Sequence, residues 1–153
     1  MRQLIAQEGR LDDFLLASRG LMARAGVGGN RATLSAAARH GIDLSGFRPR
    51  PITAGDYCGF DLVLCLDRLT RDRLRALPLA RGGHKVHLLL DFAPWIGTDE
   101  VPDPAHGGEE AFDDVFDLLK LAARGLLEVI DQTNLELAVC EPATERRKVS
   151  SGT

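Results

Sequence analysis

Two short apolar runs with a helical segment between them place the strongest constraint on how this chain can fold. Asp61–Cys65 and Val86–Leu90 are short and apolar, as strands buried on both faces of a parallel sheet are. Thr70–Leu77 between them has a helical pattern, and Phe112–Ile130 carries apolar residues along one face of a long helix. The alternation of buried strands with helices predicts an α/β fold.

Length and composition limit the classes of protein that this sequence can encode. The 153 residues fit one domain, and 44% apolar residues are enough for a core. We expect that domain to span residues 1–131, and residues 132–153 to form a disordered polar tail. With 19 basic and 22 acidic side chains the net charge is −3, which argues against a nucleic-acid partner. No apolar run reaches the roughly 18–20 residues of a membrane span, so no membrane partner is expected.

The cysteines indicate a reducing compartment. Cys58, Cys65 and Cys140 are an odd number with no paired spacing, which favours free thiols. The stretch that begins Met1-Arg2 is helix-like and has no pattern of a signal peptide. The prediction is therefore a cytoplasmic protein, and no residue pattern calls for a cofactor or a metal.

The segment Val-Pro-Asp-Pro-Ala-His-Gly-Gly at Val101–Gly108 holds an aspartate on a stiff loop. Prolines on both sides keep the backbone of Asp103 extended, and Gly107-Gly108 lets the chain turn into the following helix. Such a composition is typical of a simple turn. A rigid aspartate with no adjacent base to pair with is also suited to act as a general acid, so both interpretations stand at this point.

Three stretches of the chain occur in the order and spacing found in one enzyme family. Over roughly residues 1–130 the chain resembles the low-molecular-weight protein-tyrosine phosphatases. The resemblance implies a three-layer, flavodoxin-like parallel sheet with helices on both faces. It also implies that Asp103 is the general acid, and later the general base, in the hydrolysis of a phosphotyrosine protein or a small aryl phosphate. The stretches are RHGIDLSGFRPRPI (Arg39–Ile52), FDLVLCLDRLTRDRL (Phe60–Leu74) and DFAPWIGTDEVPDPAHGGEEAFDDVFDLL (Asp91–Leu119).

The pocket walls depart from the pattern of that family. Its members usually place aromatic residues after the Asp-Pro pair, where the rings stack on the substrate. Ala105 and His106 occupy those positions here, and Trp95 is a further candidate for the pocket entrance. Lost stacking of about 0.5–1.5 kcal/mol weakens the expected preference for phosphotyrosine.

The nucleophile is the largest departure. The family opens with a strand that ends in Cys-x5-Arg-Ser/Thr, and its thiolate needs a cradle of backbone N–H groups beside it. One formal match, Cys65–Arg71 (CLDRLTR), lacks glycine and points Asp67 toward the anion. The other, Cys140–Arg146 (CEPATER), carries two glutamates and a proline that removes an N–H donor. We expect the first, central strand and its anion loop to be missing and this chain to be inactive as given.

Two other functions remain open. One is a non-catalytic pseudophosphatase that binds phosphoproteins, or that self-associates through an exposed sheet edge. The other is a thiol redox enzyme of the arsenate reductase type, for which Cys58 and Cys65, seven residues apart, are the candidate pair.

Overall fold

The computed structural model describes residues 1–21, 31–77 and 85–133. Helices and two short strands alternate along these residues, and short 3-10 helices join several of them. The predicted tail, 132–153, lies outside the described residues except for its first two, which continue the last helix. The elements are α1 (Arg2–Gln7), α2 (Arg31–Arg39), α3 (Ala54–Gly59), β1 (Val63–Cys65), α4 (Arg68–Ala76), β2 (Val86–Leu88) and α5 (Gly108–Thr133).

The two predicted strands pair in parallel. Val63 lies opposite Val86, and Cys65 lies opposite Leu88. Helix α4 makes the crossover between them, as a parallel pair requires. Both strands are shorter than their apolar runs, and β2 ends early because the chain enters a 3-10 helix at Leu89–Phe92.

Helices cover both faces of this sheet, which confirms the predicted α/β class. On one face, Tyr57 of α3 and Leu74 of α4 pack against buried residues of both strands. On the other face, the buried side of α5 packs against the 3-10 segment after β2. The side chains of Leu62 and Leu64 join that second cluster, while Val63 between them faces the first. This alternation is what a pleated strand between two helical layers produces.

An ionic cluster joins the end of α2 to the start of α5. Arg39 donates to both carboxylate oxygens of Asp113, at 3.0 and 3.1 Å. The Nε2 atom of His40 lies 2.9 Å from Oδ1 of the same carboxylate, and its ring stacks on Phe116 with 3.8 Å between centroids. The backbone can leave α2 here because Gly41 adopts a left-handed φ of 72°, the conformation that a glycine just after a helix commonly takes.

This cluster predicts an acid-sensitive contribution to stability. The hydrogen bond from Arg39, and then that from His40, hold the pKa of Asp113 below its ordinary value of 3.8. A carboxyl group with a lowered pKa stabilises the fold above the unfolded value and loses that effect as the pH falls through the folded value. We expect the melting temperature of the wild type to fall more steeply on acidification below about pH 4 than that of Asp113→Asn.

Thermal unfolding monitored by circular dichroism between pH 7 and pH 2.5 measures this difference. The exposed Asp117→Asn on the same helix is the matched control and should follow the wild type. Parallel curves for the wild type and Asp113→Asn across the whole range would contradict the assignment.

Candidate active site

Asp103 lies on an exposed loop immediately before α5. It is the N-cap of a 3-10 helix at Pro104–His106, and its Oδ1 accepts a hydrogen bond from the backbone N–H of Ala105 at 2.9 Å. Asp103 has no ion pair among the described residues. Its backbone is extended, as the flanking prolines predicted. The carboxyl group is therefore held in one place and is open to a ligand.

The loop is fastened to the carboxyl end of β1. The N–H of Val101 donates to the carbonyl oxygen of Leu66, the residue after the strand, at 2.8 Å. The carboxyl ends of parallel strands form the edge at which α/β proteins bind their ligands. Asp103 consequently lies beside the edge of the sheet where substrate chemistry is expected.

Asp67, at the same edge, has a local structural role. It is the N-cap of α4: its carboxylate accepts from the N–H of Thr70 at 2.6 Å and from the Thr70 hydroxyl at 2.8 Å. These bonds satisfy donors that the first turn of a helix leaves unpaired. Each of its two oxygens thus accepts a hydrogen bond that holds the start of α4.

Cys65 cannot form a thiolate readily. The side chain is 2% exposed, and burial, followed by the negative charge of Asp67, raises the pKa of its thiol to about 11. A cysteine nucleophile needs a lowered pKa and access to solvent. This environment argues against the Cys65–Arg71 match as a catalytic loop, and against thiol exchange between Cys65 and the exposed Cys58. Cys140 and its match lie outside the described residues.

The structure separates the candidate pocket residues. Ala105 is exposed in the same 3-10 turn as Asp103, and His106, of which only the backbone is described, ends that turn. Trp95 is 61% exposed, and its ring packs against α5 at Gly125. Gly125 is 17 residues after Gly108, which is about 25 Å along the helix. Trp95 is therefore not brought next to Asp103.

The described residues contain neither a metal-binding cluster nor a membrane-spanning helix. No group of three or more His, Cys, Asp or Glu side chains is arranged to hold a metal ion in residues 1–21, 31–77 and 85–133. Within the same ranges, no helix is both long enough and apolar enough to cross a bilayer.

Comparison with known proteins decides the family. The sequence profile described as "Low molecular weight phosphotyrosine protein phosphatase" matches residues 1–136. The chain belongs to this family. The resemblance inferred from three stretches is thus confirmed, and the match includes all the residues that the structure describes.

Individual relatives agree with the family assignment, and a solved structure agrees with the fold. The chain is 38% identical over 81 residues to a putative low molecular weight protein-tyrosine-phosphatase of Synechocystis, with 52% of each chain covered. It is 35% identical over 108 residues to the phosphatase Wzb of Escherichia coli, with 70% of each covered. The crystal structure of a protein tyrosine phosphatase from Entamoeba histolytica superposes with a TM-score of 0.77 at 24% identity, covering 88% of this chain and 86% of that one. The match spans about half the length of the Synechocystis relative.

Sequence reasoning missed the residues that support the Asp103 loop. Arg68 pairs with Asp99 through its guanidinium, and its backbone N–H donates to Glu100. The signal was present as an arginine-rich stretch at residues 68–81 and eight acids between residues 99 and 117. Charge clusters of opposite sign can indicate a contact, but they do not say which side chains meet.

Proposed function

We propose that this chain provides the general acid of a cysteine-dependent protein-tyrosine phosphatase site, and that Asp103 is that acid. One observation carries the proposal: the Asp103 carboxyl group is rigidly held, exposed and accepts only from its own loop among the described contacts, at the carboxyl edge of the sheet. The family to which the chain belongs supports the same reaction class.

In the proposed reaction a cysteine thiolate attacks phosphorus while the bond from phosphorus to the aryl oxygen breaks. Asp103 gives its proton to the departing oxygen, which leaves as a neutral phenol. The Asp103 carboxylate then removes a proton from the water that attacks the cysteinyl-phosphate, releasing phosphate and the thiolate. Asp103 thus acts first as acid and then as base.

The proposed substrate is a phosphotyrosine protein or a small aryl phosphate, and the proposed location is the cytoplasm. Ala105 and His106 are the proposed pocket walls. Since neither side chain has the ring surface of tyrosine or phenylalanine, we expect weak discrimination between phosphotyrosine and smaller aryl phosphates.

We further propose that the 153-residue chain alone does not turn over aryl phosphates. Burial and the raised pKa make Cys65 a poor nucleophile, and the sequence Cys140–Arg146 carries two glutamates and a proline that has no N–H to donate. Assays with p-nitrophenyl phosphate should show the same background rate for the wild type and for Cys65→Ser. Turnover that disappears in Cys65→Ser would contradict this proposal.

A second candidate function is a non-catalytic interaction module. One observation favours it: among the described residues β1 pairs only with β2, and Leu66 and Leu69 next to it are 45% and 60% exposed. A sheet edge with unpaired backbone groups can add a strand from another chain. Sedimentation velocity over a hundredfold range of concentration tests self-association. A monomer at every concentration would contradict self-association through this sheet edge.

A further inference from the structure

Three contacts hold the three consecutive residues Asp99, Glu100 and Val101, which lead into the proline-flanked loop. The N–H of Arg68 donates to Oε1 of Glu100 at 2.7 Å, and Nε of Arg68 donates to Oδ2 of Asp99 at 2.9 Å. The N–H of Val101, the next residue, donates to the carbonyl oxygen of Leu66 at 2.8 Å. The residues that precede Asp103 are therefore hydrogen-bonded both to Leu66, just after β1, and to Arg68, at the start of α4.

Glu100 has the most specific place in this arrangement. Arg68 is the first residue of α4, a nine-residue helix, and its N–H has no partner within the helix. The Glu100 carboxylate accepts a hydrogen bond from that N–H, while the N-cap Asp67 accepts one from the N–H of Thr70. A carboxylate at a helix start is also favoured by the helix dipole. Two acids, one near in sequence and one 32 residues away, thus share the first turn of α4.

We propose that Glu100 is a positioning residue that fixes the Asp103 loop against the start of α4. Only two residues separate it from Asp103, and Pro102 between them restricts the backbone. A hydrogen bond at Glu100 therefore limits where Asp103 can lie. The functional meaning of this tether depends on the proposed role of Asp103, whereas the tether itself does not.

The tether is tested on the full chain by amide hydrogen exchange, which requires no turnover. In Glu100→Ala, the N–H groups of Val101 and Ala105 should exchange about tenfold faster, because a hydrogen bond to a charged group contributes at least that factor. Glu100→Gln keeps an acceptor oxygen and should restore most of the protection. The sheet amides of Val86 and Leu88 should be unaffected in both variants, which separates a local effect from general destabilisation.

Matched variants complete the test. Glu110→Ala removes an exposed acid from the first turn of α5 and should leave Val101 exchange as in the wild type. Arg68→Gln breaks the pair with Asp99 but keeps the N–H that Glu100 accepts, so it should have a smaller effect than Glu100→Ala.

Any of three results would overturn the proposal. The first is unchanged Val101 exchange in Glu100→Ala, and the second is an acceleration that the sheet amides share equally. The third is exchange in Glu100→Gln that is as fast as in Glu100→Ala, which would contradict the hydrogen bond. The exchange results do not depend on whether Asp103 is the acid. A failure of the proposed function would appear instead in the activity of the Asp103 variants.

Discussion

Asp103→Asn is expected to lower kcat on aryl phosphates by about 10²–10⁴-fold, the range that a positioned general acid contributes. The experiment uses an extended form of the chain in which an apolar strand ending in Cys-x5-Arg-Ser precedes Met1, so that a nucleophile and an anion loop are available. Asparagine keeps the size of the side chain and can still accept the N–H of Ala105, but it has no proton to give. The loop should therefore keep its shape while the leaving oxygen departs as an anion.

Asp114→Asn is the matched control for this substitution. Asp114 is exposed on α5, outside the loop, and its variant should retain the kcat of the extended form. An equal loss in both variants, or no loss in Asp103→Asn, would contradict the role given to Asp103.

Gly125→Ala is expected to lower the free energy of unfolding by about 1–3 kcal/mol, as overpacking of a close contact does. A Cβ atom at this position would overlap the carbonyl oxygen of Phe92 and lie 2.6 Å from Cη2 of Trp95. The carbonyl is backbone and cannot move aside alone, so α5 must shift away from the segment after β2. Without this overlap, alanine would stabilise the helix by about 1 kcal/mol relative to glycine. The expected loss of free energy of unfolding already includes that gain.

Trp95 is the single tryptophan of the chain, so its fluorescence reports directly on this contact. In Gly125→Ala we expect altered emission together with a melting temperature lower by about 2–4 °C for each kcal/mol. Gly108→Ala is the control, because a Cβ atom there meets nothing within 4 Å. A Gly125→Ala protein with the stability and emission of the wild type would show that α5 does not approach this closely.

The main elements of the fold could be predicted because their signals are local. The buried face of α5 follows from apolar residues at helical spacing, and Ala122, Leu126 and Ile130 are indeed buried. The strands β1 and β2 could be predicted because their apolar runs show no polar alternation. The end of β2 could not be predicted, because Leu89 and Leu90 are as apolar as the strand. The chain turns there into a 3-10 helix, at whose start the N–H of Leu88 donates to the carboxylate of Asp91.

Helix α3 shows a signal that was present in the sequence and not used. Thr53 and Asp56 form a reciprocal capping box, in which the Thr53 hydroxyl accepts the N–H of Asp56 and the Asp56 carboxylate accepts the N–H of Thr53. A threonine followed three residues later by an acid is a known start signal. The six-residue helix that follows is too short to show a periodic pattern.

The site was predictable only in part. The prolines around Asp103 indicated a fixed carboxyl group, since their effect on the backbone is local. The position of Trp95 and the contact between Glu100 and α4 depend on long-range packing, which residue spacing does not encode. Trp95 lies where Gly125 leaves room for its ring, far along α5 from the loop.

Kinetics of the extended form with two different leaving groups test most directly whether Asp103 donates a proton to the leaving oxygen. Phenolate is a poor leaving group and needs the proton, whereas p-nitrophenolate is stabilised by its nitro group and needs it less. If Asp103 is the acid, Asp103→Asn reduces kcat far more on phenyl phosphate than on p-nitrophenyl phosphate. An equal reduction on both substrates would mean that Asp103 acts on the structure of the site, and would contradict its role as the acid.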